Sequence, residues 1–274
     1  MGKKNSVKAD AQVMHDVLEI VKKEVSVVSP QKKSFNSVVS SLQKLALRKK
    51  MPHLKNVFSF VFSGNAVSMK HSKKDVVRNC NLAQVLLRQN GELLQDNIAG
   101  KIKNNARVFV HGLNEKIVHA LLRAAHDGNK CTLLMVQSPF APSAEVFVKK
   151  LIKQGVFVEW FPVSAARQAL KNADVVVLGA EAVTSDKVVT EMGGELFSEL
   201  AVQRGIPVFA VASSFQFHNS IDVRVLRNSN SAVCFRHVFE KVNPSLITGI
   251  ISEKGVHEPS VFVSIMQKKQ SIFC

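Results

Sequence analysis

At 274 residues, with 46% hydrophobic side chains and a net charge of +16, the chain is long enough for one large domain or two modest ones with an ample core. No apolar run reaches the roughly 18–20 residues that span a bilayer, and the first residues carry no apolar stretch of secretory type, so the expectation is a cytoplasmic protein with no membrane contact. Cys80, Cys131, Cys234 and Cys274 lack CxxC spacing and disulfide-scaffold density. They read as reduced thiols, and no metal site is expected.

Apolar positions at Val7, Ala11, Met14, Leu18, Val21 and Val25 step alternately by four and three, which is one stripe of an amphipathic helix. Pro30 stops it. A second helix fits residues 35–47 and a third residues 54–62, after Pro52. Ser72 is a plausible N-cap for a long fourth helix with a stripe at Val76, Cys80, Ala83, Leu87, Leu94 and Ile98. Residues 1–104 are therefore predicted as a helical N-terminal domain, ending in a hinge at 100–105. The charge is concentrated there: 19 Lys/Arg against 7 Asp/Glu in residues 1–104, and no acid at all between Glu24 and Asp75. This face meets RNA, a ribosome or an acidic protein, or it is simply solvated.

From residue 107 to residue 217 five short apolar runs (108–110, 133–136, 156–161, 175–178 and 208–211) alternate with four amphipathic segments of helical period. The runs are too short for buried helices and rich in β-branched residues. Such alternation predicts right-handed βαβ crossovers and a doubly wound, mostly parallel Rossmann-like sheet covered on both faces, over residues 105–274. Leu246 to Ser252 reads as a sixth strand and residues 259–269 as a closing helix. The stretch HNSIDVRVLRNSNSAVCF has room for one irregular strand. Ligands of such sheets sit outside the carboxyl ends of the strands. The residues to weigh are thus 111–114, 137–139, 162–164, 179–184 and 213–217.

The first of these turns, His111-Gly112-Leu113-Asn114, has one glycine where a dinucleotide fingerprint needs three, so no nicotinamide or flavin is expected. Gly193-Gly194 opens a predicted helix, whose N-terminus suits an anion. Glu191 and Glu195 flank it and repel a phosphate, so a simple turn is the better reading. Cys131 starts a strand, away from the ligand end, and reads as a small buried hydrophobe.

The segments HGLNEKIVHALLRAAHDGNKCTLLMVQS, VSAARQALKNADVVVLGAEAV, IPVFAVASSFQF and NPSLITGIISEKGVHEPS resemble one superfamily. It holds the alpha, beta and delta regulatory subunits of translation initiation factor 2B, ribose-1,5-bisphosphate isomerase and methylthioribose-1-phosphate isomerase. The resemblance runs through most of residues 105–265, more weakly through the N-terminal part, and PSLIT and the Gly179-Ala180-Glu181 triplet lean toward the initiation-factor branch. It implies dimerisation through the α/β domain. The isomerases place an acid/base thiol directly after the histidine, where this chain has Gly112. Their second acid/base group, an aspartate, is here Glu181. Moving a proton between adjacent carbons needs both groups within reach of substrate, and a displacement of about 1 Å costs on the order of a hundredfold. The isomerases' Glu-Ser/Thr-Arg is Gln137-Ser138-Pro139, without the arginine fork that suits phosphate. Their Asn-Lys pair is Thr190-Glu191. Arg48 and Lys55 match a basic stretch of the helical domain and either reach a sugar phosphate or lie solvated.

The expected ligand-contacting residues are accordingly Arg48, Lys55, His111, Gln137, Ser138, Ser164 and Glu181, with no catalytic residue and no cofactor. The expected function is a non-catalytic regulatory or scaffolding protein of initiation-factor-2B type, self-associating as a dimer, with other initiation factors as partners and a nucleotide or sugar phosphate as candidate ligand. The alternative is an aldose-phosphate isomerase with a rearranged site, using Glu181 with His111 or Ser164.

Overall fold

The computed structural model describes residues 10–27, 52–62, 73–136, 144–219, 221 and 239–273. The chain divides into two compact units, residues 1–89 with 270–274 and residues 90–269.

The described residues of the first unit are helical. Helix α1 (Asp10–Val27) buries Met14, Leu18, Val21 and Val25, the stripe expected from its sequence. Helix α2 (Pro52–Val61) buries Leu54, Val57, Phe58 and Val61, and proline at its first position has no hydrogen bond to lose. Helix α3 (Lys73–Ala99) buries Val76, Cys80 and Ala83 in its first half. Lys22 of α1 donates to Asn81 (3.0 Å) and Gln84 (3.2 Å) of α3, and Gln84 donates to Glu19 (2.9 Å). Burial raises the Cys80 thiol to about 11, so it is no nucleophile at neutral pH. The helix expected over residues 35–47 lies outside the described residues.

The second unit is the α/β body. Its strands are β1 (Ala106–His111), β2 (Cys131–Val136), β3 (Phe157–Phe161), β4 (Val175–Val183), β5 (Val188–Glu191), β6 (Val208–Val211), β7 (Phe239–Val242), β8 (Gly249–Ser252) and β9 (Gly255–His257). The main sheet runs β3-β2-β1-β4-β6-β8-β9, parallel except for β9. Helices α4 (Glu115–His126), α5 (Ala144–Lys153), α6 (Ala166–Lys171), α7 (Gly194–Val202) and α8 (Pro259–Phe273) connect and cover it. Alternation along each strand sends neighbours to opposite faces. Val108, Val110, Leu133 and Met135 pack with α4 and α5, while Phe109, Leu134, Val136 and Leu178 pack with α6, α7 and α8. The doubly wound, mostly parallel architecture follows.

Three features depart from expectation. Strand β4 continues through Gly179-Ala180-Glu181, placed above beyond the end of the 175–178 run, because its far half leaves the parallel ladder to pair antiparallel with β5 across a bulge between Ala180 and Ala182. Strands β5, β7 and β9 are short antiparallel additions that pattern alone did not separate from turns. Strand β3 is incompletely covered: it sits at the sheet edge, with Phe157 65% and Trp160 41% exposed.

Candidate functional site at the sheet switch point

Strands β1 and β4 are parallel neighbours, and the chain winds away from them in opposite directions, through β2 to β3 on one side and through β6 to β8 on the other. A doubly wound sheet opens its ligand crevice at the carboxyl ends of such a pair. Here those ends are His111-Gly112 and Gly179-Ala180-Glu181.

The two backbones meet closely. Gly112 has φ +68°, the left-handed region, as the chain turns from β1 into α4. A β-carbon there would stand 3.1 Å from the Gly179 carbonyl oxygen, and one on Gly179 would collide with the Gly112 carbonyl oxygen. Gly179 therefore requires glycine, and the left-handed backbone at Gly112 favours it. Asn114 then caps α4, its side-chain oxygen accepting the Ile117 N–H at 3.2 Å. Cysteine at position 112 would meet both the left-handed penalty and a crowded carbonyl.

His111 is 4% exposed. Its Nε2 donates to the Glu191 carbonyl at 3.1 Å, and its ring lies edge-on to Phe197 of α7, centroids 4.8 Å apart. The imidazole is thereby tied to β5 and α7. Glu181 sits half-buried at the bulge of β4, beside His111's strand. Ser164 is exposed in a 3-10 turn (Val163–Ala165) beyond β3, two strands away from β1. Lys55 is exposed on α2, in the first unit. Arg48, Gln137 and Ser138 lie outside the described residues. Of the expected set, the sheet brings His111 and Glu181 onto adjacent strands and leaves Ser164 apart.

The residue that organises this region is Gln216, in the 3-10 turn Ser214–Gln216 after β6. Its amide nitrogen donates to the carbonyls of Ala180 and of Glu181 (3.4 Å). Its oxygen accepts from Ser213 N (2.9 Å), Ser213 Oγ (3.2 Å) and Lys116 Nζ (2.9 Å). One buried side chain thus ties β4, the β6 turn and the first turn of α4 together. Gln216 falls within the loop singled out by position, but its bonding was not legible because its partners lie 36 and 100 residues away.

The glycine turn before α7 also differs from the simple turn expected. It does hold an anion, supplied by the chain itself: one oxygen of Glu240, on β7, accepts the N–H groups of Gly193 and Glu195, both at 2.8 Å. Free helix N–H groups and the local dipole favour a carboxylate there. Glu253, just past β8, accepts the Ser214 N–H through one oxygen at 3.1 Å. Its other oxygen is buried with no hydrogen-bond partner among the described residues. The carboxyl-end rule applied to the sixth strand would have singled it out. Among the described residues no group of three His, Cys, Asp or Glu is placed to hold a metal ion.

A family model described as the initiation factor 2 subunit family matches residues 12–259. The ribose 1,5-bisphosphate isomerase of Haloferax volcanii is 21% identical over 78% of this chain and 70% of its own length. That of Methanocaldococcus jannaschii is 23% identical over 62% and 60%. The translation initiation factor eIF2B subunit alpha of Dictyostelium discoideum is 23% identical over 58% and 57%. In the last two matches the chain spans less than two thirds of the relative. Among solved structures, the Pyrococcus horikoshii OT3 translation initiation factor eIF-2B superposes with TM-score 0.80 at 15% identity, covering 95% of each chain. A chain of the tetrameric eIF2B-beta2-delta2 complex from C. thermophilum gives 0.74 at 15% identity over 94% and 88%. At these identities the superpositions speak for the fold alone. With a family match through nearly its whole length and the doubly wound architecture around residues 111 and 179, this chain belongs to the initiation factor 2 subunit family.

Proposed function

We propose that the chain is a non-catalytic, regulatory or scaffolding member of its family that works by binding proteins of translation initiation, with a nucleotide or sugar phosphate as candidate ligand. The observation that carries this reading is position 112. An isomerase of this type needs an acid/base thiol there; glycine has no proton to transfer, and φ +68° against the Gly179 backbone disfavours a larger residue. Two further contacts support it. Gln216 spans the switch point, and Glu240 occupies the helix N-terminus that an incoming phosphate would seek. The tetrameric complex of the C. thermophilum relatives supports self-association here too, most simply as a two-fold dimer. The basic, acid-free stretch between Glu24 and Asp75 is the candidate surface for RNA or a ribosome.

The test is an isomerase assay with ribose-1,5-bisphosphate and methylthioribose-1-phosphate, paired with affinity capture from the native organism. The expected result is no turnover, and initiation-factor subunits in the eluate. Turnover near 1 s⁻¹, an ordinary enzyme rate, would instead favour a rearranged isomerase site using Glu181 with His111 or Ser164. Light scattering at micromolar concentration should show an assembly larger than the 30.2 kDa monomer.

A further inference from the structure

Among the described residues β3 pairs with β2 alone, so its outer row of N–H and C=O groups faces no strand. Natural edges are usually blunted by lysine, proline or a bulge. Strand β3, Phe157-Val158-Glu159-Trp160-Phe161, has one charged residue, Glu159, and one guanidinium nitrogen of Arg107 on β1 donates to both its carboxylate oxygens, at 2.9 and 3.0 Å. Phe157 and Trp160 project from opposite faces of the strand, 65% and 41% exposed. Val163 continues the apolar edge beyond it, and α5, packed against β3, adds exposed Val146 and Ile152.

The charges around this edge are unbalanced. Each acid between residues 144 and 174 already has a partner: Glu145 pairs with Lys149 (2.7 Å), Glu159 with Arg107, and Asp174 accepts the Arg107 N–H (2.7 Å). Lys153 at the end of α5, and Arg167 and Lys171 on α6, are exposed and form no ion pair among the described residues. The helices beside the apolar edge therefore carry uncompensated positive charge.

We propose that β3 is a docking edge for an extended acidic segment of another protein. The segment adds a strand to the sheet through backbone hydrogen bonds, rests apolar side chains on Phe157 and Trp160, and turns carboxylates toward Lys153, Arg167 and Lys171. A second copy of this chain is disfavoured, because two such edges would bring like charges together. The proposal uses a different surface from the switch point and does not depend on whether that site is catalytic.

Trp160 is the chain's only tryptophan, so its emission reports this edge alone. The full-length chain is titrated with three peptides: alternating glutamate and valine, the same peptide with alternate amides methylated, and alternating lysine and valine. The expected result is a saturable change in Trp160 emission with the acidic peptide, lost on methylation, absent with the lysine peptide and weaker at high salt. Replacing Lys153, Arg167 and Lys171 together by glutamine should weaken binding by about tenfold. Phe157→Lys should abolish it with an unchanged melting curve. No saturable change up to about 1 mM peptide, the limit of useful affinity, overturns the proposal, as does equal binding of the lysine peptide. A concentration-dependent emission change in peptide-free protein that Phe157→Lys removes also overturns it, assigning the edge to a second copy.

Discussion

The switch point and the β3 edge lie in the same sheet and answer the same problem, unpaired polar groups at the margin of a folded layer, in opposite ways. At the switch point the chain supplies its own partners: Gln216 for the bulged carbonyls of β4, Glu240 for the N–H groups opening α7, and the Glu191 carbonyl for His111. At β3 the outer backbone edge has no strand among the described residues, and Phe157, Trp160 and Val163 along it are apolar and exposed. A group that binds at these strand ends must first break internal hydrogen bonds, whose loss leaves buried groups unsatisfied. An edge without partners costs little to cover. In this protein the switch point is thus the guarded margin.

The largest effect should come from Gly179→Ala. The new methyl collides with the Gly112 carbonyl oxygen, which is backbone in a central strand and has nowhere to move. A loss of about 3–5 kcal/mol, or failure to fold, is expected by denaturant unfolding. A melting point within a few degrees of the parent would show that the two strands are not tightly apposed. Gly112→Cys, which places a thiol directly after His111, should cost about 1–2 kcal/mol for the left-handed backbone with extra strain from the 3.1 Å approach to Gly179. Paired with Glu181→Asp it should give no isomerase activity.

Removing the internal anion tests the guarded site directly. Glu240→Ala deletes two 2.8 Å hydrogen bonds from the start of α7 and should cost about 1 kcal/mol. Inorganic phosphate should then stabilise the variant more than the parent, read as a larger rise in melting temperature. Equal responses would mean that Glu240 guards nothing. On the other side of the comparison, Phe157→Lys should change stability by less than about 0.5 kcal/mol, since the ring is 65% exposed. A larger loss would mean that the edge is structural.

The smallest effect is a pH dependence. His119 on α4 has its pKa lowered from 6.5 by burial first and by the Lys150 charge second, against the opposing pull of Glu115. With the folded value below the unfolded one, the unfolded chain binds the extra proton. The contribution is therefore present above pH 6.5 and is lost as pH falls through the lower folded value. The side chain is 37% exposed, which keeps the term small. His119→Gln should flatten the acid limb of the stability curve slightly, and an unchanged limb would remove His119 as its source.

What could be read from the linear chain was whatever repeats locally. The stripe at Met14, Leu18, Val21 and Val25 and the short β-branched runs at 108–110, 133–136, 175–178 and 208–211 specify helix and strand, because burial of one face imposes a period of 3.6 or 2. The alternation of those runs with amphipathic segments determined the doubly wound class, and with it the ends of the strands where a ligand would sit. The glycine at position 112, right after His111, was legible too, since it needs only a position in the sequence. What only the tertiary structure decided was pairing between distant residues. That Gly112 and Gly179 exclude each other's side chains depends on the β1–β4 register. That Glu240, and not Glu191 or Glu195, meets the α7 N-terminus depends on β7 pairing with β5. That Trp160 and Phe157 lie at an edge rather than in a core depends on β3 having one neighbour among the described residues. An apolar run has the same spelling at the centre of a sheet and at its margin; strand order alone separates the two.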